Sequence, residues 1–252
     1  MKKSFSVVFL TLLVAMVFFP FSRNVVEILL ALEVVFSIGI LICKAVNKKF
    51  SAYPKVILYF TLASLGVNIA LTRNVLIEVF EIPQKSALLY LAKNVFAKNY
   101  IAGFIVALLM FLVTVLIISK AAKRILKIVE ERSNGINKVP TDYYVSLDGA
   151  IKFLKGNMTA TIYICLVNII APLAIGIIKK QMSFQNAVAE FFPIVSVNII
   201  AFSIPLLIVG ASALLEKGRK LIIERNFGRI WYKSIERRLN YGKFVLEEQW
   251  IN

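Results

Sequence analysis

The chain has 252 residues, 59% of them hydrophobic, with mean hydropathy +0.79 and a formal net charge of +16. Its apolar residues fall in runs of about 20, the length that crosses a bilayer core, and they do not alternate as barrel strands do. A soluble domain and a β-barrel are thereby excluded, and the absence of histidine removes His-based metal sites, Ser-His-Asp triads and histidine proton relays.

The pattern predicts an all-α polytopic membrane protein of about six spans with short interfacial helices. The start, "MKKSFSVVFLTLLVAMVFFPF", imitates a signal peptide, but no small-residue cleavage site follows, so it is read as a retained first span over 4–21. Ser22-Arg23-Asn24 turns the chain into a second span over 25–46. A basic loop, 47–55, leads to a third span over 54–71. The connection 72–98 repeats Ala87, Leu88, Leu91 and Val95 at helical spacing, which predicts a short helix on the membrane surface. A fourth span covers 100–119, a charged cytoplasmic loop 120–157 and a fifth span 158–178. The last apolar stretch, 187–215, is long for one straight crossing and is interrupted by Pro193 and Pro205, so it is expected to be kinked or broken. Residues 1–215 read as one transmembrane domain and 216–252 as a basic cytoplasmic tail.

Lysines and arginines set the expected orientation. Lys2 and Lys3, the loop at 47–55, the segment 120–157 and the tail carry most of them, which places both termini in the cytoplasm. Arg73, Lys85, Lys93 and Lys98 on the outside connection are a partial exception. The surplus suits contact with anionic lipid. Nucleic-acid binding is not expected, since the basic residues flank apolar runs and no stacking aromatics interleave with them on a soluble domain.

Cys43 and Cys165 are isolated thiols in or beside spans, neither a disulfide framework nor a metal site. No Gly-rich phosphate loop appears, the Asn157 sequon abuts a span on the expected cytoplasmic side, and no cofactor, metal or enzymatic constellation is indicated.

Ionisable and amide groups inside spans cost free energy and each raises a question. Glu27 lies near the outer end of the second span. Glu33 is deeper and should face protein or be protonated. Asn68, Asn168 and Asn198 are buried amides, read first as interhelical hydrogen-bonding groups contributing roughly 0.6 kcal/mol each, and second as a polar path. Arg73 ends the third span, where snorkelling to the surface explains it. In "YVSLDGAIKFLKGN", residues 144–157, Leu147, Ile151 and Leu154 share one helical face and Asp148 and Lys152 form an i,i+4 pair worth a few tenths of a kcal/mol if exposed. Chemistry alone reads this as an amphipathic lead-in helix bracketed by Gly149 and Gly156, with a working carboxylate as the sharper alternative.

Four stretches together resemble one family. "LDGAIKFLKGN" followed by "LVNIIAPLAIG" is similar to M-D-G-A-x-K-F-x-[KR]-G-D and L-[VI]-N-[IL]-I-G-G-L-x-I-G of the large export-gate membrane protein of flagellar and virulence type III secretion, the FHIPEP family. "FSAYPKVILYFTLASLGVNIALTR" resembles its F-S-x-x-P and L-N-x-A-S-T-R. "KNYIAGFIVALLMFLVTVLIISKAAKR" resembles its G-N-[YF]-x-x-G and I-T-K-G-x-E-R, and "FFPFSRNVVEILLALEVVFSIGILI" its proline-rich first turn and second span. Order and spacing agree over most of 10–215.

The resemblance implies a non-enzymatic subunit of a ring in the bacterial inner membrane. Such a ring works with other export-gate membrane proteins and an export ATPase complex, and couples the proton-motive force to export of unfolded polypeptides. Carried over by position, Asp148 matches the acid of D-G-A and becomes the candidate proton-responsive carboxylate. Arg73 matches the arginine of S-T-R, and Lys120 and Arg124 the basic pair after the fourth span. Lys152, Lys155 and Asn68 also match. The chain departs from the pattern where Asn157 and Asn198 stand in place of acids, where Ser64 stands for an arginine, in its short 120–157 segment, and in having only about 37 residues after the last span. An amide keeps hydrogen-bonding shape but cannot exchange a proton. The expectation is a reduced export-gate protein. The alternatives are a structural paralogue without proton chemistry and an independent small transporter, which would show inverted repeats or matched broken helices.

Overall fold

The structure, a computed structural model, describes residues 11, 14–16, 18, 19, 21–46, 50–80, 87–133 and 142–216. Among these there is no strand. Helix α1 spans Arg23–Val46, α2 Tyr53–Phe80 and the short α3 Ala87–Leu91. A π-helical turn, Ala92–Phe96, and a 3₁₀ turn, Ala97–Asn99, follow; then come α4 Tyr100–Ser133, α5 Asp142–Ile178 and α6 Phe184–Leu214. All of them lie in the unit Met1–Leu215; Glu216–Asn252 is a second unit, of which only Glu216 is described.

Among the described residues five helices are long and apolar enough to cross a membrane: Arg23–Val46, Tyr53–Ile77, Tyr100–Glu130, Asp142–Ile178 and Phe184–Leu214. The first expected span, 4–21, falls largely outside the described residues. Its end is tied in, since Met16 is buried with Val26 and Leu30 of α1, Val67, Ala70 and Leu71 of α2, and Ala201 of α6.

Helix α6 sits at the centre because its sequence is apolar all round and rich in small residues, the composition of a helix enclosed by others in lipid. Ala201, Ser203, Gly210, Ser212 and Ala213 are all buried. Helix α6 packs most extensively on α4, and α2 on α5. A Cβ on Gly210 would stand 2.9 Å from Ile118 Cγ1, so glycine is what lets α4 and α6 approach there. By contrast α1 and α4 turn aliphatic faces outward, among them Ile28, Leu32 and Val35, and Ile105, Leu109 and Leu112.

Several expected boundaries move, for one reason: a helix does not stop where charge begins if its backbone still finds a packing face. Helix α2 runs on past Leu71 to Phe80, and α4 runs on past Ser119 to Ser133. On that extension Ala121, Ala122, Ile125 and Ile128 are buried, while Lys120, Lys123, Arg124 and Lys127 are exposed, so much of the expected loop is an amphipathic helix. The lead-in helix and the fifth span are one helix, α5, with Gly149 and Gly156 in its interior rather than at its ends. The last span is not broken: α6 carries Pro193 and Pro205 inside a continuous helix, started by Ser183, whose Oγ accepts the Asn186 N–H.

Side-chain pairs fix the heights of the helices. Tyr53 and Ser212 share a hydrogen bond of 2.9 Å, joining the start of α2 to the end of α6. Lys44 Nζ lies 4.4 Å from the Tyr53 ring centroid, bringing the end of α1 to that level, and is 3.5 Å from Tyr143 Oη of α5. These residues mark what is here termed the basic end of the bundle. At the other end Asn168 Nδ2 of α5 donates to Thr72 Oγ1 of α2 at 3.1 Å, so α2 and α5 run parallel.

Candidate functional site

Two groups of polar residues stand out, one at the basic end and one inside the bundle. At the basic end, α5 presents Asp148 and Lys152 one turn apart. Lys152 Nζ donates to Asp148 Oδ2 at 2.6 Å, as the i,i+4 spacing predicts. The two differ in setting: the Lys152 side chain is 65% exposed and that of Asp148 21%. Asp148 Oδ1 is out of reach of solvent and makes no hydrogen bond. One carboxylate oxygen is thus held by a cation and the other is enclosed by protein. Lys155 is exposed on the same face. Lys120 and Arg124 are exposed on the α4 extension, and no contact joins them to Asp148.

The inner group lies near mid-height. Glu33 of α1 is 6% exposed, and neither of its oxygens makes a hydrogen bond of ordinary geometry. The Ser64 hydroxyl of α2 is close enough to act on it as a hydrogen-bonding group, yet it too closes no bond. Heights agree with this pairing: Glu33 is about 16 Å from Lys44 along α1, and Ser64 about 16 Å from Tyr53 along α2. Asn68 and Asn198 are both completely buried, with both amide atoms unbonded. They stand at one level, about 22 Å from Tyr53 and about 21 Å from Ser212. The bundle interior therefore carries an acid, a hydroxyl and two amides within about two helical turns of height. Each unmet group costs on the order of 1–3 kcal/mol in a dry core.

The remaining expected residues are separate. Asn157 is buried with its side chain unbonded, while its carbonyl accepts the Thr161 hydroxyl at 2.8 Å. Asn168 makes the interhelical bond expected of a membrane amide, to Thr72. Arg73 does not simply snorkel; its Nη2 donates to the carbonyl of Phe19, tying the end of the first expected span to α2.

Sequence reasoning missed a third arrangement. Arg23 Nε donates to Glu27 Oε1 at 3.0 Å, and the same carboxylate accepts the N–H groups of Ala87 and Leu88 at 3.1 and 3.3 Å. Glu27 thereby holds the start of α3 against α1. Ala87, Leu88, Leu91 and Val95, expected on a short helix lying on the membrane surface, line a cavity of about 380 Å³ with Leu30 and Val34 of α1 and Ile200 and Ile204 of α6, while Leu91 and Val95 also remain exposed. The Arg23–Glu27 spacing of four was a readable signal; the 60-residue reach to Ala87 was not.

Among the described residues no group of His, Cys, Asp and Glu is arranged to hold a metal ion. What the described groups offer is charge pairing between Asp148 and Lys152, and buried hydrogen-bonding groups at Glu33, Ser64 and the amides.

The chain matches the sequence model of the FHIPEP family over residues 13–130 and 127–221. It is 25% identical over 240 residues to the flagellar biosynthesis protein FlhA of Helicobacter pylori, covering 82% of this chain and 33% of that protein. With FlhA of Bacillus subtilis it shares 25% over 240 residues, 80% of this chain and 34% of the relative. With FlhA of Escherichia coli K12 it shares 22% over 240 residues, 82% and 34%. The chain thus spans about a third of the length of these curated relatives. No solved structure matches it.

Proposed function

This chain belongs to the FHIPEP family, and from that premise we propose that it is a membrane subunit of a type III-like protein export apparatus, flagellar or virulence. It contributes there to proton-coupled translocation of polypeptides. Residues 1–215 act as its transmembrane domain and 216–252 as a cytoplasmic tail. The basic end of the bundle, with Lys44, Lys120, Arg124 and Lys152, faces the cytoplasm beneath the inner membrane, and the exposed Lys120 and Arg124 meet anionic lipid. Copies of the chain form a ring with other export-gate membrane proteins and work with an export ATPase complex. The reading is of a non-enzymatic role.

The observation that carries this reading is the Asp148–Lys152 pair at the basic end of α5, 2.6 Å apart, with Asp148 Oδ1 shielded and unbonded. A carboxylate tied to a neighbouring lysine on one side and enclosed on the other has its surroundings changed when its helix moves, as coupling a proton to a conformational step needs. The test is Asp148→Asn in the producing organism. Export should stop while the subunit still accumulates in the membrane; normal export by this variant rules out the proton role.

A second reading is favoured by Asn157 and Asn198, buried amides where the family pattern has acids. On it the chain is a structural paralogue that packs in the gate without proton chemistry. Asp148→Asn would then leave export intact, whereas deletion of the whole chain would impair assembly.

A further inference from the structure

The described exposed faces of the bundle are of two kinds. Between Val25 and Cys43, every exposed residue of α1 is apolar, and so is every exposed residue of α4 between Ile101 and Ser119. Those are faces for lipid. Helix α5 differs. Its outward stripe, after the partly buried Asp148, runs Lys152, Lys155, Thr159 and Tyr163, with Gly156 beside it and the exposed Phe153 at its edge. Successive steps of three or four residues keep these on one side of a helix.

Depth follows from the pairings. Thr72 meets Asn168 and lies about 28 Å along α2 from Tyr53, so Gly149 stands at the height of Tyr53. On that scale Lys155 is about 9 Å, Thr159 about 15 Å and Tyr163 about 21 Å inside the basic end. The hydrocarbon core is about 30 Å thick. A lysine at 9 Å can bend back to the surface, and Thr159 Oγ1 satisfies itself on the Lys155 carbonyl at 3.2 Å. Tyr163 has no such escape. It is 65% exposed, and helical side chains lean towards their N-terminus, which directs its hydroxyl to the middle of the membrane. Beyond it the outward residues Leu166, Val167 and Ile170 are aliphatic.

We propose that this stripe faces water: a polar lane that enters from the basic end alongside Asp148 and closes near mid-membrane at Tyr163. Lys152 and Lys155 line its entrance and draw small hydrated anions into it. Lipid covers the aliphatic faces of α1 and α4 and not this one. The proposal concerns the surroundings of α5 and stands whether or not the chain serves protein export.

The experiment is labelling of single introduced cysteines in native membranes by a membrane-impermeant charged maleimide, applied in turn to each side. Cys43, which is exposed, is replaced by alanine; Cys165, which is buried, is kept and its background rate measured. Thr159→Cys is compared with Leu112→Cys, which sits at a similar depth on the aliphatic face of α4. Each variant is first shown to reach wild-type levels in the membrane and to react fully once solubilised. The expected result is labelling of Thr159→Cys at least about tenfold faster than Leu112→Cys, from one side only, because the reacting species is a hydrated thiolate. Equal rates, or a Thr159→Cys thiol that reacts only in detergent, overturn the proposal. The latter includes a face buried against a second copy. Lys155→Cys gives an independent reading nearer the entrance.

Discussion

Asn168 donates to the hydroxyl of Thr72, and this 3.1 Å bond pins two parallel helices whose residues are 96 positions apart in sequence. Thr72→Val keeps the shape and removes the acceptor, leaving the buried amide of Asn168 without its bond. Membrane amide bonds contribute roughly 0.6 kcal/mol on average, and an orphaned group costs up to about 2 kcal/mol. The unfolding midpoint of the purified protein in detergent should fall by a few degrees. The double variant Thr72→Val/Asn168→Leu should be less damaging than the sum of the two single changes.

Gly210 should tolerate nothing larger. An added Cβ meets Ile118 at 2.9 Å and Ile117 at 3.2 Å, so Gly210→Ala should cost about 1–3 kcal/mol through forced separation of α4 and α6, and Gly210→Leu should abolish accumulation in the membrane. Gly39, with nothing within 4 Å, is the control: Gly39→Ala should be neutral or stabilising by up to about 1 kcal/mol. Membrane yield and thermal midpoint read both.

Glu27→Ala removes an acceptor shared by the N–H groups of Ala87 and Leu88 and the partner of Arg23. Loss of a helix-start acceptor costs about 1 kcal/mol. Limited proteolysis should cut between residues 80 and 100 faster in this variant than in wild type, with the five long helices intact. An unchanged rate would show that the cavity lining alone holds α3.

Lys152→Ala should hardly affect stability, by less than about 0.5 kcal/mol, because the lysine end of its pair is largely solvated. If Asp148 works as proposed, the same change should nonetheless lower export, since it removes the cation that holds the carboxylate in place. Export compared with wild type at equal membrane levels of the chain, beside the thermal midpoint of the purified protein, reads both.

Much of the architecture was legible because hydrophobic runs and local spacings are local facts. Apolar length marks the crossings, and a step of four residues marks both Asp148–Lys152 and Arg23–Glu27. Helix ends were less legible. Charge at Lys120 signals departure from lipid, but Ala121, Ala122, Ile125 and Ile128 still bury a face, so the helix continues to Ser133. The inner polar group was half legible: Glu33, Asn68 and Asn198 announce themselves as polar residues in apolar runs. That Glu33 sits beside Ser64 while Asn68 shares a level with Asn198 follows from how three helices are set against one another, which no single run encodes.

Helix α5 extends 37 residues from Asp142 to Ile178 as one helix, about 55 Å long, with Pro172 inside its far part. Its first turns carry the Asp148 pair and its last lead through a five-residue turn, Lys179–Ser183, into the enclosed α6. The charged extremity and the far hairpin thus belong to one helical element, and Pro172 is the joint at which a tilt of one end is either carried on to the enclosed α6 or absorbed.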